Sequence, residues 1–272
     1  MNKMTLHDEA DTPQLLAHDE VPSVLEENAE STSPFFFTCD HYGRLIPRAL
    51  GDLGVPEHER ERHIAWDIGI AGVATQLARE MNVHLIAQRY SRLVIDCNRP
   101  FTSPGSIPLV SEATEISGNG GLSAEQVSAR RRAIFMPYHA RISQALDARH
   151  ARGQPTILVS LHSFTPVYAG IKRPWHIGTL YHRHTQLPSM LRDALRAEGD
   201  LIVGDNEPYA ADDATDYTIP VHAEKRGLVN TGIEIRQDLI AEETGQQQWA
   251  QRLARIFHEL EKTLPANKLL AP

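Results

Sequence analysis

The stretch Phe35-Phe36-Phe37-Thr38-Cys39-Asp40-His41-Tyr42-Gly43-Arg44 sets the reading of this chain. Three consecutive aromatics followed by a β-branched residue make an apolar run of the length of a buried strand. The run stops abruptly at polar and ionisable side chains and then a glycine. That pattern puts an imidazole at the rim of a sheet, where it can ligate a metal or move a proton. Three other stretches repeat an apolar run with a polar end: residues 93–99, 156–163 and 232–238. The four ends are expected to meet and make one hydrolytic metal site.

Working outward, residues 1–33 are acidic, polar and Pro/Ser-containing, and are expected to form an irregular arm. Residues 34–272 then read as a single α/β domain. A helical period runs through 57–82, with Ile64, Ile68, Val73, Leu77 and Met81 on its stripe; His63 and Asp67, four apart, fall on one face of it. A β-like segment at 83–87 and a strand at 93–96 follow. The prolines and glycines of 100–123 predict a long loop or set of turns, placed to wall a pocket. Ser123 and Gln126 form a capping-box pattern opening a long helix that Gly153 and Pro155 end. Strands at 156–161, 175–180, 201–203 and 227–236, an extended piece at 217–222, and helices at 188–198 and 244–264 complete the chain. Strands alternating with helices predict a three-layer α/β/α sandwich around a mainly parallel mixed sheet, with its site at the carboxyl ends of the strands.

The chain has 272 residues, 41% of them hydrophobic and 23% charged, which suits a soluble globular protein with a sizeable core. A formal net charge of −8 argues against nucleic acid or an anionic membrane as the main partner. No apolar run approaches the ~20 residues that span a bilayer, and the N-terminus lacks a signal-peptide pattern, so a cytoplasmic location is expected. Cys39 and Cys97 have no metal-type spacing and read as reduced, buried thiols. Of the 14 histidines, His7, His18, His58, His84, His150 and His258 sit in polar or helical settings and read as solvated.

His41 and His162 each follow an apolar run, and with a carboxylate they fit a catalytic zinc site of three protein ligands and one open position. Asp67 is the favoured carboxylate, with His63 the competitor. Glu234 and Arg236 share one strand face, and Glu234 suits a general base. Asn98 and Arg99 suit the clasping of a substrate carboxylate, and Arg92 the polarisation of a scissile carbonyl. His182 and His184 read as a surface pair. His222 is placed to line the pocket or meet oxyanion charge.

The segments 38–43, 91–100, 161–163 and 233–239 resemble the N-formylglutamate amidohydrolase family, over about residues 34–258. That family is similar in fold to zinc carboxypeptidases and aspartoacylases. The resemblance implies His41 and His162 as metal ligands, Asn98 and Arg99 as the carboxylate clamp, Arg92 as the carbonyl-polarising arginine and Glu234 as the catalytic glutamate. Carboxypeptidases place a ligand Glu three residues after the first His, and here that residue is Arg44. The second ligand is therefore expected elsewhere, at Asp67 or His63. The implied activity is Zn2+-dependent hydrolysis of an N-acyl, in the namesake case N-formyl, group from an acidic amino acid such as N-formyl-L-glutamate. The alternatives are a related hydrolase of another N-acyl amino acid or small peptide, or a metal-free carboxylate-binding homologue. The expected partner is a small-molecule substrate, with a homo-oligomer possible.

Overall fold

A computed structural model of the chain describes residues 14–264. In chain order the strands are β1 (Val24–Glu27), β2 (Phe35–Cys39), β3 (His84–Gln88), β4 (Val110–Ser111), β5 (Thr114–Glu115), β6 (Ile157–Phe164), β7 (Val167–Tyr168), β8 (Ile171–Lys172), β9 (Ile177–Leu180), β10 (Val203–Asp205) and β11 (Val229–Arg236). The helices are α1 (Glu57–Arg60), α2 (Ile70–Glu80), α3 (Ala124–Arg130), α4 (Met136–Ala151), α5 (Gln186–Ala197) and α6 (Glu243–Thr263). Seven strands form one sheet in the order β1-β3-β2-β6-β11-β9-β10. Strands β3, β2, β6 and β11 are mutually parallel, while β1 and β9 run antiparallel to their neighbours β3 and β11. Strands β4–β5 and β7–β8 are separate two-stranded hairpins.

Both sheet faces are buried, which is why β2, β3 and β6 read as continuous apolar runs. Phe35, Phe37, Leu85, Val159 and Ile233 pack with α2, α5 and α6 on one face. Phe36, Ile86 and Leu158 pack with α4 residues Tyr138, Ile142 and Leu146 on the other. The mixed, mostly parallel sheet with helices on both sides is the expected architecture. The expected capping box at Ser123 and Gln126 is present, and α3 continues into α4 through a π-helical turn at Arg131–Phe135. Gly43 permits a close approach: its N–H donates to the Gln88 carbonyl at 3.0 Å, and a Cβ there would sit 1.9 Å from the Arg89 carbonyl oxygen. The loop carrying His41 is thereby laid against the end of β3.

Several local expectations are corrected. Within the supposedly irregular arm, Val24–Glu27 forms the antiparallel edge strand β1, paired with 85–88; residues 1–13, His7 among them, lie outside the described residues. The helix expected over 57–82 is two helices, α1 and α2, separated by turns, so His63 and Asp67 share no helix face. The piece at 217–222 is not extended, because Ile219–Ala223 is a π-helical turn. His84 is not solvated: it is buried, with Nε2 2.7 Å from a Glu26 carboxylate oxygen.

The run 93–96 is not a strand but a turn-rich loop after β3. Leu93, Val94 and Ile95 are buried as their sequence demands. Two of their carbonyls are satisfied by side chains instead of a ladder: Asn119 Nδ2 donates to Leu93 O at 2.8 Å and Arg130 Nη1 to Val94 O at 3.0 Å. Arg130 also donates to Asn119 Oδ1 and Gly118 O. It is 1% exposed with neutral acceptors only, and burial lowers its pKa to about 10. Losing it would leave two buried acceptors, Val94 O and Asn119 Oδ1, without this donor. Arg130→Leu is therefore expected to destabilise the fold by about 2–4 kcal/mol in urea unfolding, while Arg132→Leu, on the exposed side of the same segment, changes it by less than about 0.5 kcal/mol.

Candidate active site

Strand alternation assembles the site. On β2, β6 and β11 the residues Phe35, Phe37, Ile157, Val159, Leu161, Ile233 and Ile235 enter the core under α2, α5 and α6. Their neighbours point to the opposite face. There the register aligns Phe36 with Leu158, Thr38 with Ser160, Ser160 with Gly232, and His162 with Glu234. Along that face the chemistry passes from apolar at the bottom to ionisable at the carboxyl rim. The rim opens into a cleft of about 510 Å³ lined by His41, Asp67, Arg92, Arg99, His162 and Glu234, among others.

His41, Asp67 and His162 each offer a donor atom, all within 4.8 Å of one another, and all three residues are buried. His41 Nδ1 lies 3.5 Å and His162 Nδ1 3.1 Å from Asp67 Oδ2. The far nitrogen of each ring is held: His41 Nε2 is 2.7 Å from Asp96 Oδ1, and His162 Nε2 is 2.9 Å from Ser160 Oγ and 3.2 Å from Asp40 Oδ2. A ring that donates Nε2–H to a carboxylate keeps a lone pair on Nδ1, the second contact typical of a metal-ligating histidine. Asp67 is fixed at the turn before α2, its N–H donating to the His41 carbonyl at 3.0 Å and its Oδ2 accepting from Ser163 N–H at 3.1 Å.

The charges ask for a cation. Asp67 and Asp96 are buried beside the Arg92 guanidinium, which donates to His41 Nδ1 and Asp67 Oδ1, and Asp40 is buried under His162. Burial opposes ionisation of Asp67, but Arg92, His41 and His162 hold its pKa well below the usual carboxylate value. Burial also opposes a charge on His162, yet Asp40 and Asp67 hold its pKa well above the ordinary imidazole value. Glu234 behaves oppositely. It is 7% exposed, its Oε2 is buried without a hydrogen-bond partner, and burial pushes its pKa up to about 7, with Asp67 adding to the effect and His162 opposing it. A carboxylate of that basicity, poised beside a cluster of nitrogen and oxygen donors, is equipped to take and return a proton.

The sequence model of the family described as N-formylglutamate amidohydrolase matches residues 33–241. The chain belongs to this family. It is an amidohydrolase by that membership. Among solved structures, it is similar to gene product Atu2144 of Agrobacterium tumefaciens, with 38% identity, a TM-score of 0.86, and coverage of 92% of this chain and 99% of that one. It shares the fold of the N-formylglutamate amidohydrolase of Ralstonia eutropha JMP134, at 18% identity and a TM-score of 0.62, covering 90% of this chain and 100% of that one. No curated protein matches the chain in sequence.

Within this family member, the remaining candidates fall into two groups. Arg99 reaches the cleft, donating one Nη1 bond to the Thr215 carbonyl and lying 4.0 Å from Asp96. His63 lines the cleft wall, 3.5 Å from Glu112, outside the donor cluster. Asn98, expected to touch substrate, lines the cleft, and its amide is in use: Nδ2 donates to Asp216 at 2.9 Å and Oδ1 accepts from Tyr217 N–H and Thr218 N–H, each at 3.1 Å. It positions a loop. His222, expected at the pocket, is 1% exposed and stacked on His139, the two ring nitrogens 2.9 Å apart. Burial lowers their pKa values to about 3 for His222 and about 4 for His139, so the pair is neutral. Arg236, expected to follow Glu234 into the site, instead closes on Asp238 at 2.8 Å. Arg44 is exposed, over the Trp66 ring and 3.4 Å from Glu61, which removes it from the donor cluster.

A supporting layer lies beneath. Asp40 accepts from Thr218 Oγ1 at 2.6 Å, Tyr138 Oη at 2.9 Å and Ser160 Oγ at 3.2 Å while holding His162. Asp96 also accepts from the Asn98 N–H at 2.8 Å. Thr38 and Ser160, polar residues in otherwise apolar strands, are the signal that could have found this layer.

Proposed function

We propose that this protein hydrolyses the N-formyl group of an acidic amino acid such as N-formyl-L-glutamate, with a divalent metal, Zn2+ in the first instance, held by His41, Asp67 and His162. The carrying observation is the three-donor cluster with both histidines backed by carboxylates and a partnerless, basic Glu234 in the same cleft. The residues fit such an ion: two imidazoles and one carboxylate are a catalytic zinc set, and the surplus of buried carboxylates over guanidinium supplies the charge. Bound there, the metal would act as a Lewis acid on the acyl oxygen and acidify a water.

The chain's own groups do the rest. Glu234 accepts the proton of the attacking water and returns it to the departing amine nitrogen, so the amine leaves neutral. Arg92 donates toward the oxygen that gains charge, from a position fixed by Asp67 Oδ1. Arg99, with its second Nη free, holds the α-carboxylate of the substrate and sets the scissile bond against Glu234. Asp96 and Asp40 keep the His41 and His162 rings in the tautomer that leaves Nδ1 free.

Formate release from a panel of N-acyl amino acids tests the reading: N-formyl-L-glutamate is expected to be the best substrate, and turnover of none of the panel would end the proposal. A subtler expectation concerns Asp96. Asp96→Asn is expected to weaken zinc binding by about 10–100-fold, measured by competition with a chromogenic chelator.

A further inference from the structure

We infer that Thr218 is a positioning residue that ties the carboxylates behind His41 and His162 into one brace, and so sets how tightly the site holds its metal. This rests on the metal-dependent reading of the same site and adds to it a residue that touches neither substrate nor metal.

Thr218 is fully buried at the start of the π-helical turn Ile219–Ala223. The first N–H groups of a helical turn have no partner within it. Here Asn98 Oδ1 takes two of them, accepting from Tyr217 N–H and Thr218 N–H, each at 3.1 Å. Asn98 is itself anchored: its own N–H donates to Asp96 Oδ1 at 2.8 Å, the same oxygen that lies 2.7 Å from His41 Nε2. In the other direction the Thr218 hydroxyl donates to Asp40 Oδ1 at 2.6 Å, while Asp40 Oδ2 lies 3.2 Å from His162 Nε2. The path from His41 through Asp96, Asn98, Thr218 and Asp40 to His162 is therefore unbroken. Asp67 Oδ2, 3.5 Å from His41 Nδ1 and 3.1 Å from His162 Nδ1, closes it on the metal side.

A purely local role would not need this closure. Without Thr218, Asp40 keeps donors from Tyr138 Oη and Ser160 Oγ, and the turn keeps Asn98 through Tyr217 N–H. Thr218 adds the join between the two halves, through one hydroxyl and one amide of a single residue. The join matters because the two imidazoles come from different elements, His41 from the turn after β2 and His162 from β6. Metal–ligand distances tolerate only about 0.2 Å of error. Fixing the two rings relative to each other before the ion arrives removes an ordering cost from binding. Asn98, although it borders the cleft, spends its amide on this brace.

The test uses the full-length protein and zinc competition against a chromogenic chelator. Thr218→Val removes the hydroxyl at nearly constant volume and is expected to weaken zinc binding by about tenfold, the lower end of what losing an outer hydrogen bond costs a metal site. Thr218→Ser keeps the hydroxyl and is expected to stay close to wild type. In an Asp96→Asn background, Thr218→Val is expected to cost clearly less than it does alone, because the far end of the path is already lost. Unchanged zinc affinity in Thr218→Val overturns the inference, as does an equal loss in Thr218→Ser. A loss of full size in the Asp96→Asn background also overturns it, since the effect would then lie on His162 alone. Zinc bound by no variant, wild type included, would instead be the failure of the metal reading. The brace is then read by NMR in metal-free protein with isotope-labelled histidines: Thr218→Val is expected to shift the ring resonances of His41 as well as those of His162, and a shift confined to His162 overturns it.

Discussion

Replacing Glu234 by Gln is expected to lower kcat for N-formyl-L-glutamate by roughly a thousandfold while KM moves by less than about threefold, as the loss of a positioned general base demands. Glu234 sits on β11 in register with His162, on the face that turns to the cleft. Its carboxylate has a partnerless buried oxygen and a pKa raised by burial to about 7, a carboxylate made basic by its surroundings. Gln keeps the shape and removes only the proton-accepting oxygen. Steady-state kinetics with coupled formate detection reads both constants. A proportional loss of binding would recast Glu234 as a substrate ligand.

The second large effect is expected at Asp67. Asp67→Ala is expected to remove bound zinc and lower kcat by at least about a thousandfold, whereas His63→Ala retains the metal. Asp67 alone of the two joins the donor atoms that lie within 4.8 Å of one another. It carries three further ties, to Arg92, to the Ser163 N–H and through its own N–H to the His41 carbonyl, so its removal also frees Arg92. Metal content by atomic absorption, with a thermal melt to confirm folding, separates the two variants. Zinc retained by Asp67→Ala and lost from His63→Ala would reverse the assignment.

The legible parts of this chain were those in which local chemistry and tertiary placement agree. Phe35–Cys39 and Ile157–Phe164 are buried on both faces, so the apolar runs gave the strands, and the abrupt change to Asp40-His41 and His162-Ser163 marked the rim. The run 93–96 misled because burial was satisfied without a ladder, its carbonyls being paired by Asn119 and Arg130 from distant segments. The His63–Asp67 spacing misled in the same way: a helical period crosses a stretch that the structure breaks into turns so that Asp67 can face two rims at once. Asn98 and His222 carried the right chemistry, and their hydrogen bonds are spent on the loop at 216–218 and on His139. Spacing alone does not reveal which polar groups are already satisfied.

The central claim, that one metal held by His41, Asp67 and His162 is required for amide hydrolysis, is most directly tested by formate release from N-formyl-L-glutamate after exhaustive chelation and dialysis. The account predicts that activity disappears with the metal and returns on adding one equivalent of Zn2+. Undiminished turnover by protein shown to be metal-free would contradict it.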